Sequence, residues 1–199
     1  AEGKKVVPVV ADEYFEILGV NDRIQLAEAT AIMRDRVNMR LMSEGVTLID
    51  PPTTFIDVTV AIDADVTIKP GCQIEGETTI ASGALIGPDV RLFNCIVGPG
   101  AVITKSECDG ATIGRHAHVG PYSFLRPGAH LGDGAKVGSF VEVKNSTIGA
   151  GSKVPHLSYI GDATIGVESN IGAGTITCNY DGFFKYTTII GEDAFIGAN

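Results

Sequence analysis

From Ile56 onward an aliphatic residue returns at every sixth position, as Ile56, Ile62, Ile68, Ile74, Ile80, Ile86 and Leu92. No α-helix repeats at six, and plain strand alternation asks for no turn residue at each sixth step. After short interruptions the frame resumes at Val97 and Ile103, and then runs from Ile113 through Val119, Leu125, Leu131 and Val137 to Val143. It returns at Ile148, Val154 and Ile160, at Ile165 and Ile171, and at Ile190 and Ile196. The residue after an anchor is often glycine, as at Gly87, Gly114, Gly120, Gly132, Gly149 and Gly166. Such residues suit corners where φ is positive or backbones approach closely. A small residue four after the anchor, as at Ala84, Ala101, Ala117, Ala135 and Ser152, would point inward beside it. Three hexads then make one triangular coil, and stacked coils give three flat parallel sheets around a narrow aliphatic core.

The fold class expected is therefore all-β, a parallel β-helix of hexapeptide repeats. Before it, Asp22 can cap a helix with Gln25 three residues on, and Leu26, Thr30, Met33, Val37 and Leu41 follow at helical spacing until Gly45 ends it. The domain reading is an end of a preceding domain over residues 1–21, a linker helix over 22–45 and the β-helix over 46–199. Both termini read as cut from a longer parent, the last one inside a repeat.

With a net charge of -9, nucleic acid and anionic membrane surfaces are poor partners, and an anionic ligand would need a local basic cluster. Cys72, Cys95, Cys108 and Cys178 are irregularly spaced with no metal-finger pattern, which fits a reduced, cytoplasmic protein. No segment reads as a signal peptide or a membrane span.

Two stretches break the frame. "TKSECDGAT", Thr104 to Thr112, is polar and is expected to be a plain surface bulge. The second, "TCNYDGFFKYTT", lies inside Ile171–Gly191 and is rich in aromatic, amide and charged groups. Loops thrown from a rigid scaffold are held at fixed positions and commonly carry function. Arg126 and Lys144 stand one full coil apart and should stack on one edge of the prism. Two stacked cations in an acidic protein suit a phosphate, through a guanidinium fork and an ammonium point charge, or they form a solvated surface pair. His156 follows Pro155, which fills a glycine slot. Imidazole exchanges a proton near neutral pH and so could serve as a base, or it could bond to a backbone carbonyl in a structural role. Tyr159 and Asn170 supply neutral hydrogen-bonding groups.

The run "RPGAHLGDGAKVGSFVEVKNSTIGAGSKVPHLSYIGDATIG", followed by "NIGAGTITCNYDGFFKYTTIIGEDAFIGAN", resembles the bacterial bifunctional glucosamine-1-phosphate N-acetyltransferase / N-acetylglucosamine-1-phosphate uridyltransferase family in its C-terminal part. "GVNDRIQL" resembles the junction between that family's nucleotidyltransferase domain and its linker helix. The resemblance implies a left-handed β-helix and acetyl transfer from acetyl-CoA to the amine of glucosamine 1-phosphate. The product feeds UDP-N-acetylglucosamine for cell-wall polymers. It further implies His156 as the general base, with Arg126, Lys144, Tyr159, Asn170 and Lys185 binding the sugar phosphate. Ala173, Asn179, Tyr180 and Ala198 would line the acetyl-CoA site, with backbone and amide donors meeting the oxyanion. Glu142 would orient the cations. Ala198 stands where family members often have serine, so the oxyanion donor there would be backbone. A homotrimer with shared sites is implied, and Asn21 matches a residue that holds Mg2+ only together with the nucleotidyltransferase domain.

Three other readings are weighed against that one. His116, His118 and His130 could bind zinc between subunits, as in carbonic anhydrases built on this fold, but the family's H-x-x-x-x-H spacing is missing. A trimerising scaffold without catalysis, or another hexapeptide-repeat acyltransferase, would share the repeat. An ice-binding helix needs arrays of T-x-T pairs, and Thr175 to Thr177 supplies one.

Overall fold

A computed structural model describes residue 3 and residues 6–198. It is a parallel β-helix whose coils lie beneath a single long helix, Arg23–Ser43. The helix begins where Asp22 Oδ1 accepts the Gln25 N–H at 2.8 Å, while Gln25 Oε1 accepts the Asn21 N–H at 2.7 Å. Gly45, at φ +99°, ends it. Only its second half is buried, through Val37, Asn38 and Leu41; Leu26 and Met33, expected on the apolar stripe, are exposed because no coil lies beneath them. Asn38 donates to Pro51 O and Thr54 O at 3.0 and 3.1 Å, which pins the helix over the first coil.

Three ladders form the three faces. The first runs from Thr47–Leu48 through Leu85–Ile86 and His118–Val119 to Phe195–Ile196. The second starts at Phe55–Ile56 and climbs through Arg91–Phe93 and Phe124–Leu125. The third runs from Ala61–Ile62 to Thr188–Ile190. Two nine-residue strands, Lys136–Lys144 and Lys153–Gly161, pass around the corner between the first and second faces and join them into one sheet.

Each anchor stacks on the anchor one coil away: Ile86 faces Ile103, Leu125 faces Val143, and Ile113 faces Leu131. Their side chains are 3% exposed or less, and burying each fully contributes about 1.5–3 kcal/mol. Ala84, Ala101, Ala117, Ala135 and Ser152 fill the inner positions beside them, also buried. Where the inner residue is serine it replaces a missing backbone bond. Ser146 Oγ donates to Lys144 O at 2.7 Å and accepts the Ala163 N–H, and Ser152 Oγ accepts the Ser169 N–H.

The stretch Thr104–Thr112 is not a bulge. Glu107–Asp109 is a strand of the second face, and Cys108, fully buried, is its anchor, paired with Leu92 and Leu125. The frame there takes two successive five-residue steps around a cysteine, which packs as a small hydrophobe and is invisible to a search for aliphatic anchors. His116 likewise lies in a turn, at φ +52°, and not in a strand with His118.

Candidate active site

The corner between the first and second faces carries His156. It follows Pro155 in the strand Lys153–Gly161, stands beside Ser139 of the coil before, and is exposed to solvent. Its register continues upward. Lys153 pairs with Asn170, and Ile171 pairs with Ile196. The Leu157 carbonyl accepts the Gly174 N–H, so Ala173 is the rung above His156. Gly172 in turn sits against Gly197 and the Ala198 nitrogen, which puts Ala198 one rung higher again. A Cβ at Gly172 would press on that backbone, so glycine is what lets the two coils close. His156, Ala173 and Ala198 thus share one corner column, with Asn170 half-buried on the adjoining first face.

A second group lies at the far end of the second face. The Arg126 N–H bonds to Val143 O, which sets Arg126 next to Lys144, and Lys144 pairs with Gly161 above it. Arg126 Nη1 donates to Glu142 Oε1 at 2.8 Å, and this carboxylate, above all through that hydrogen bond, raises the guanidinium's already high pKa. Both side chains are more than a third exposed, so solvent screens the pair, which orients the guanidinium and adds little stability. Tyr159 pairs with Glu142 across the strands, and its ring folds over Gly161. A Cβ at Gly161 would meet the ring at 2.6 Å, so the missing side chain is what lets the phenol lie there.

The excursion completes this group. It leaves the second face after the bridge between Tyr159 and Ile176 and returns at Thr188–Ile190 on the third. At its tip Asp181 Oδ1 accepts the N–H groups of Phe183 and Phe184 at 2.8 and 2.7 Å, and Tyr186 donates its hydroxyl to Oδ2. The Phe184 and Phe183 amides hold the Asp181 carboxyl below the usual carboxylate range. Tyr180 and Lys185 face each other across this small hairpin. At its neck Asn179 is buried and donates to Asp162 Oδ2 at 2.5 Å. Asp162 is pushed below the usual range by hydrogen bonds from Asn145 and Asn179, with the charges of Lys185 and Lys144 acting the same way. The Asp162 N–H bonds to Lys144 O at 3.1 Å, and Lys185 precedes Tyr186, whose N–H bonds to Asn179 O, so the backbone brings both lysines into the neighbourhood of this carboxylate.

The expected site residues thus fall into two sets. Arg126, Lys144, Tyr159 and Lys185 are brought to one edge of the second face, while His156, Asn170, Ala173 and Ala198 gather at its other edge. Asn179 and Tyr180, expected beside acetyl-CoA, belong to the first set: the Asn179 amide is engaged by Asp162 and the Tyr180 hydroxyl donates to Gly182 O at 2.6 Å. From His156 to Gly161 the strand runs about 16 Å of chain at roughly 3.3 Å per residue, and it bends at Leu157, where φ is +42°, so the two edges stand closer than that through space. Between them lies an open groove of about 470 Å³ lined by Tyr122, Phe140, Glu142, Leu157, Tyr159 and Ile176. Tyr122 and Phe140 stack there with centroids 5.4 Å apart.

Sequence reasoning passed over Asp162, Asn145, Asp181 and Gly161. One signal was available: Asn145, Asp162 and Asn179 are each 17 residues apart, a coil repeat of amide and carboxylate. Metal ligation finds no support in this geometry. His118 stands on the first face and His130 on the third. Among the described residues no group of three His, Cys, Asp or Glu side chains is placed to hold an ion. Asn21 stands at the exposed helix start, so the residues present do not form a magnesium site. No described helix is long and apolar enough to cross a membrane.

Comparison with known proteins places this geometry. Residues 108–199 match the family model described as the GMPPB C-terminal domain. The chain is 49% identical over all 199 residues to the bifunctional protein GlmU of Desulfitobacterium hafniense, of which it covers 44%. It is 51% identical over 197 residues to that of Heliobacterium modesticaldum and 49% identical over 199 residues to that of Kineococcus radiotolerans, covering 43% and 40% of them. The chain thus spans less than half the length of these curated relatives. Among solved structures it is similar to LpxA from Acinetobacter baumannii, with 21% identity over 73% of this chain and 66% of that one and a TM-score of 0.45.

Proposed function

We propose, from the premise that this chain belongs to the bifunctional GlmU family over the stretch it spans, that it transfers an acetyl group from acetyl-CoA to the amine of glucosamine 1-phosphate. His156 accepts the proton the amine gives up as its nitrogen bonds to the thioester carbonyl carbon. The carbon–sulfur bond breaks, and the departing thiolate takes up a proton to leave as free CoA. Backbone N–H groups in the column of Ala173 and Ala198 meet the carbonyl oxygen as it becomes an oxyanion; with Ala198 in that column, no hydroxyl is available from it. Arg126, Lys144 and Lys185 hold the phosphate, while Tyr159 and Asn170 bond to the sugar.

The observation that carries this reading is the gathering of three cations, Arg126, Lys144 and Lys185, at one edge of a chain whose net charge is -9. Such a cluster suits a phosphate monoester, and an acidic surface elsewhere keeps other anions away. The base stands at the opposite edge of that face, and a site closed between copies of the chain, one giving His156 and the next giving the cations, would bring the two edges to one substrate. A homotrimer suits that division, since three prisms packed about one axis pair unlike edges in a closed ring. Cys72, Cys95 and Cys108 are buried free thiols, in keeping with a cytoplasmic setting. Uridyl transfer and its Mg2+ belong to the part of the relatives this chain does not span.

The test is release of free CoA thiol from acetyl-CoA. It is expected only when glucosamine 1-phosphate is present, and His156→Ala is expected to remove it by about 100-fold or more. An unchanged rate in that variant would refute the base assignment. Mixing His156→Ala with Lys144→Ala protein should restore part of the turnover, because shared sites then pair one intact edge of each.

A further inference from the structure

Thr177 roots the start of the excursion in the second face, through hydrogen bonds with Tyr159 and Gly161, and beyond it both ends of the excursion meet one residue that neither the repeat nor the acetyl-transfer reading uses. Asp162 occupies the corner between the second and third faces at φ +48°. Its three oxygens are all engaged. Oδ1 accepts from the Asn145 amide at 2.7 Å, one coil before; Oδ2 accepts from the Asn179 amide at 2.5 Å, one coil after; and its carbonyl accepts the Thr188 N–H at 3.1 Å. Asn179 opens the excursion and Thr188 closes it, so a single aspartate grips both ends. Asn179 O also accepts the Tyr186 N–H at 2.9 Å, which shuts the neck next to Lys185.

We infer that Asp162 is a positioning residue for the sugar-phosphate site: by clamping Asn179 and Thr188 it fixes the hairpin so that Lys185 is presented beside Lys144. This rests on the acetyl-transfer reading for the identity of the anion. A carboxylate in the neighbourhood of two lysines also offsets part of their mutual repulsion before the phosphate arrives. The small groove on its outer side is lined by His130, Asn145, Thr147, Thr164 and Thr187. An amide at 162 keeps the shape but sets two donors against each other unless Asn179 turns over. Exchanging Asp162 with Asn145 restores one carboxylate and one amide.

Three proteins are compared: wild type, Asp162→Ala, and the exchanged pair Asp162→Asn with Asn145→Asp. Chymotrypsin cleavage after Phe183, Phe184 and Tyr186 reads the clamp without reference to activity. It is expected to be at least about tenfold faster in Asp162→Ala and close to wild type in the exchanged pair. The KM for glucosamine 1-phosphate is expected to rise about tenfold in Asp162→Ala, with the KM for acetyl-CoA within about twofold, and to fall back in the exchanged pair. Unchanged cleavage in Asp162→Ala would overturn the clamp. Equal rises in both KM values, not rescued by the exchange, would overturn the positioning role and leave Asp162 a structural residue. A wild-type protein that releases no CoA thiol with glucosamine 1-phosphate would instead overturn the acetyl-transfer reading, while the cleavage comparison still decides the clamp. If Asp162→Ala does not fold, the exchanged pair set against Asn145→Asp alone, where two carboxylates meet, gives the same two readouts.

Discussion

Around Ile113 the chain is held by what surrounds it; around Phe184 it is held by what two carboxylates accept. In the coils Ile113 is capped below by Val97 and above by Leu131, and corner glycines such as Gly114, Gly132 and Gly149 lie flat against the next coil. In the excursion Phe183 and Phe184 are 87% and 67% exposed, and the order comes from Asp181 at the tip and Asp162 at the neck. One region is specified by volume, the other by acceptor geometry. A substitution that harms one should therefore leave the other nearly untouched.

The largest expected effect tests the volume side. Ile113→Ala removes buried methyl groups between Val97 and Leu131 and should cost about 2–5 kcal/mol, read from the urea midpoint. Phe183→Ala should stay within about 0.5 kcal/mol of wild type in the same measurement. Comparable losses from both would mean that the excursion is packed as tightly as the rod. Next in size is Gly149→Ala. A Cβ there would meet the Gly166–Val167 backbone at 2.5–2.7 Å, with no flexible side chain to yield, so about 1–3 kcal/mol is expected. Gly134→Ala, where a Cβ meets nothing within 4 Å but φ is +68°, separates backbone strain from overpacking.

The same contrast explains what could be read in advance. A core built from one repeated layer states its rule many times, so Ile56 through Ile196 reveal the prism, and the rule failed only where Cys108 stood in for an aliphatic anchor. Arg126 and Lys144 could be stacked from spacing alone, because one unbroken coil separates them. The excursion happens once and follows no period. That Asn179 turns in to Asp162 depends on a corner at positive φ and on a chain path of ten residues between Thr177 and Thr188, which no spacing encodes. Gly161 was legible as a small residue, but its reason, the Tyr159 ring lying over it, is a side-chain fact.

A smaller effect isolates the acceptor side. Asp181→Ala removes the acceptor of two backbone N–H groups and of the Tyr186 hydroxyl, all exposed. The urea midpoint should not move measurably, while chymotrypsin cleavage after Phe183 should quicken by about threefold to tenfold. If the midpoint fell as well, the tip would be part of the cooperative unit.

Acid should produce the same separation without mutation, and more gently. Asp162 and Asp181 both have folded pKa values below the ordinary carboxylate value, the first through Asn145 and Asn179, the second through the Phe184 and Phe183 amides. A depressed folded pKa means that the ionised group favours the ordered loop. That contribution is complete above the unfolded value of about 4 and is lost as pH falls through the folded one. The apolar stack of the rod has no such dependence. Hydrogen exchange at the Phe183 and Phe184 amides, referenced to intrinsic rates, should therefore lose protection below about pH 4 while the Ile113 amide keeps its own. Equal loss at both places would show that acid opens the coils and not the clamp, and would erase the distinction between a region held by volume and one held by two carboxylates.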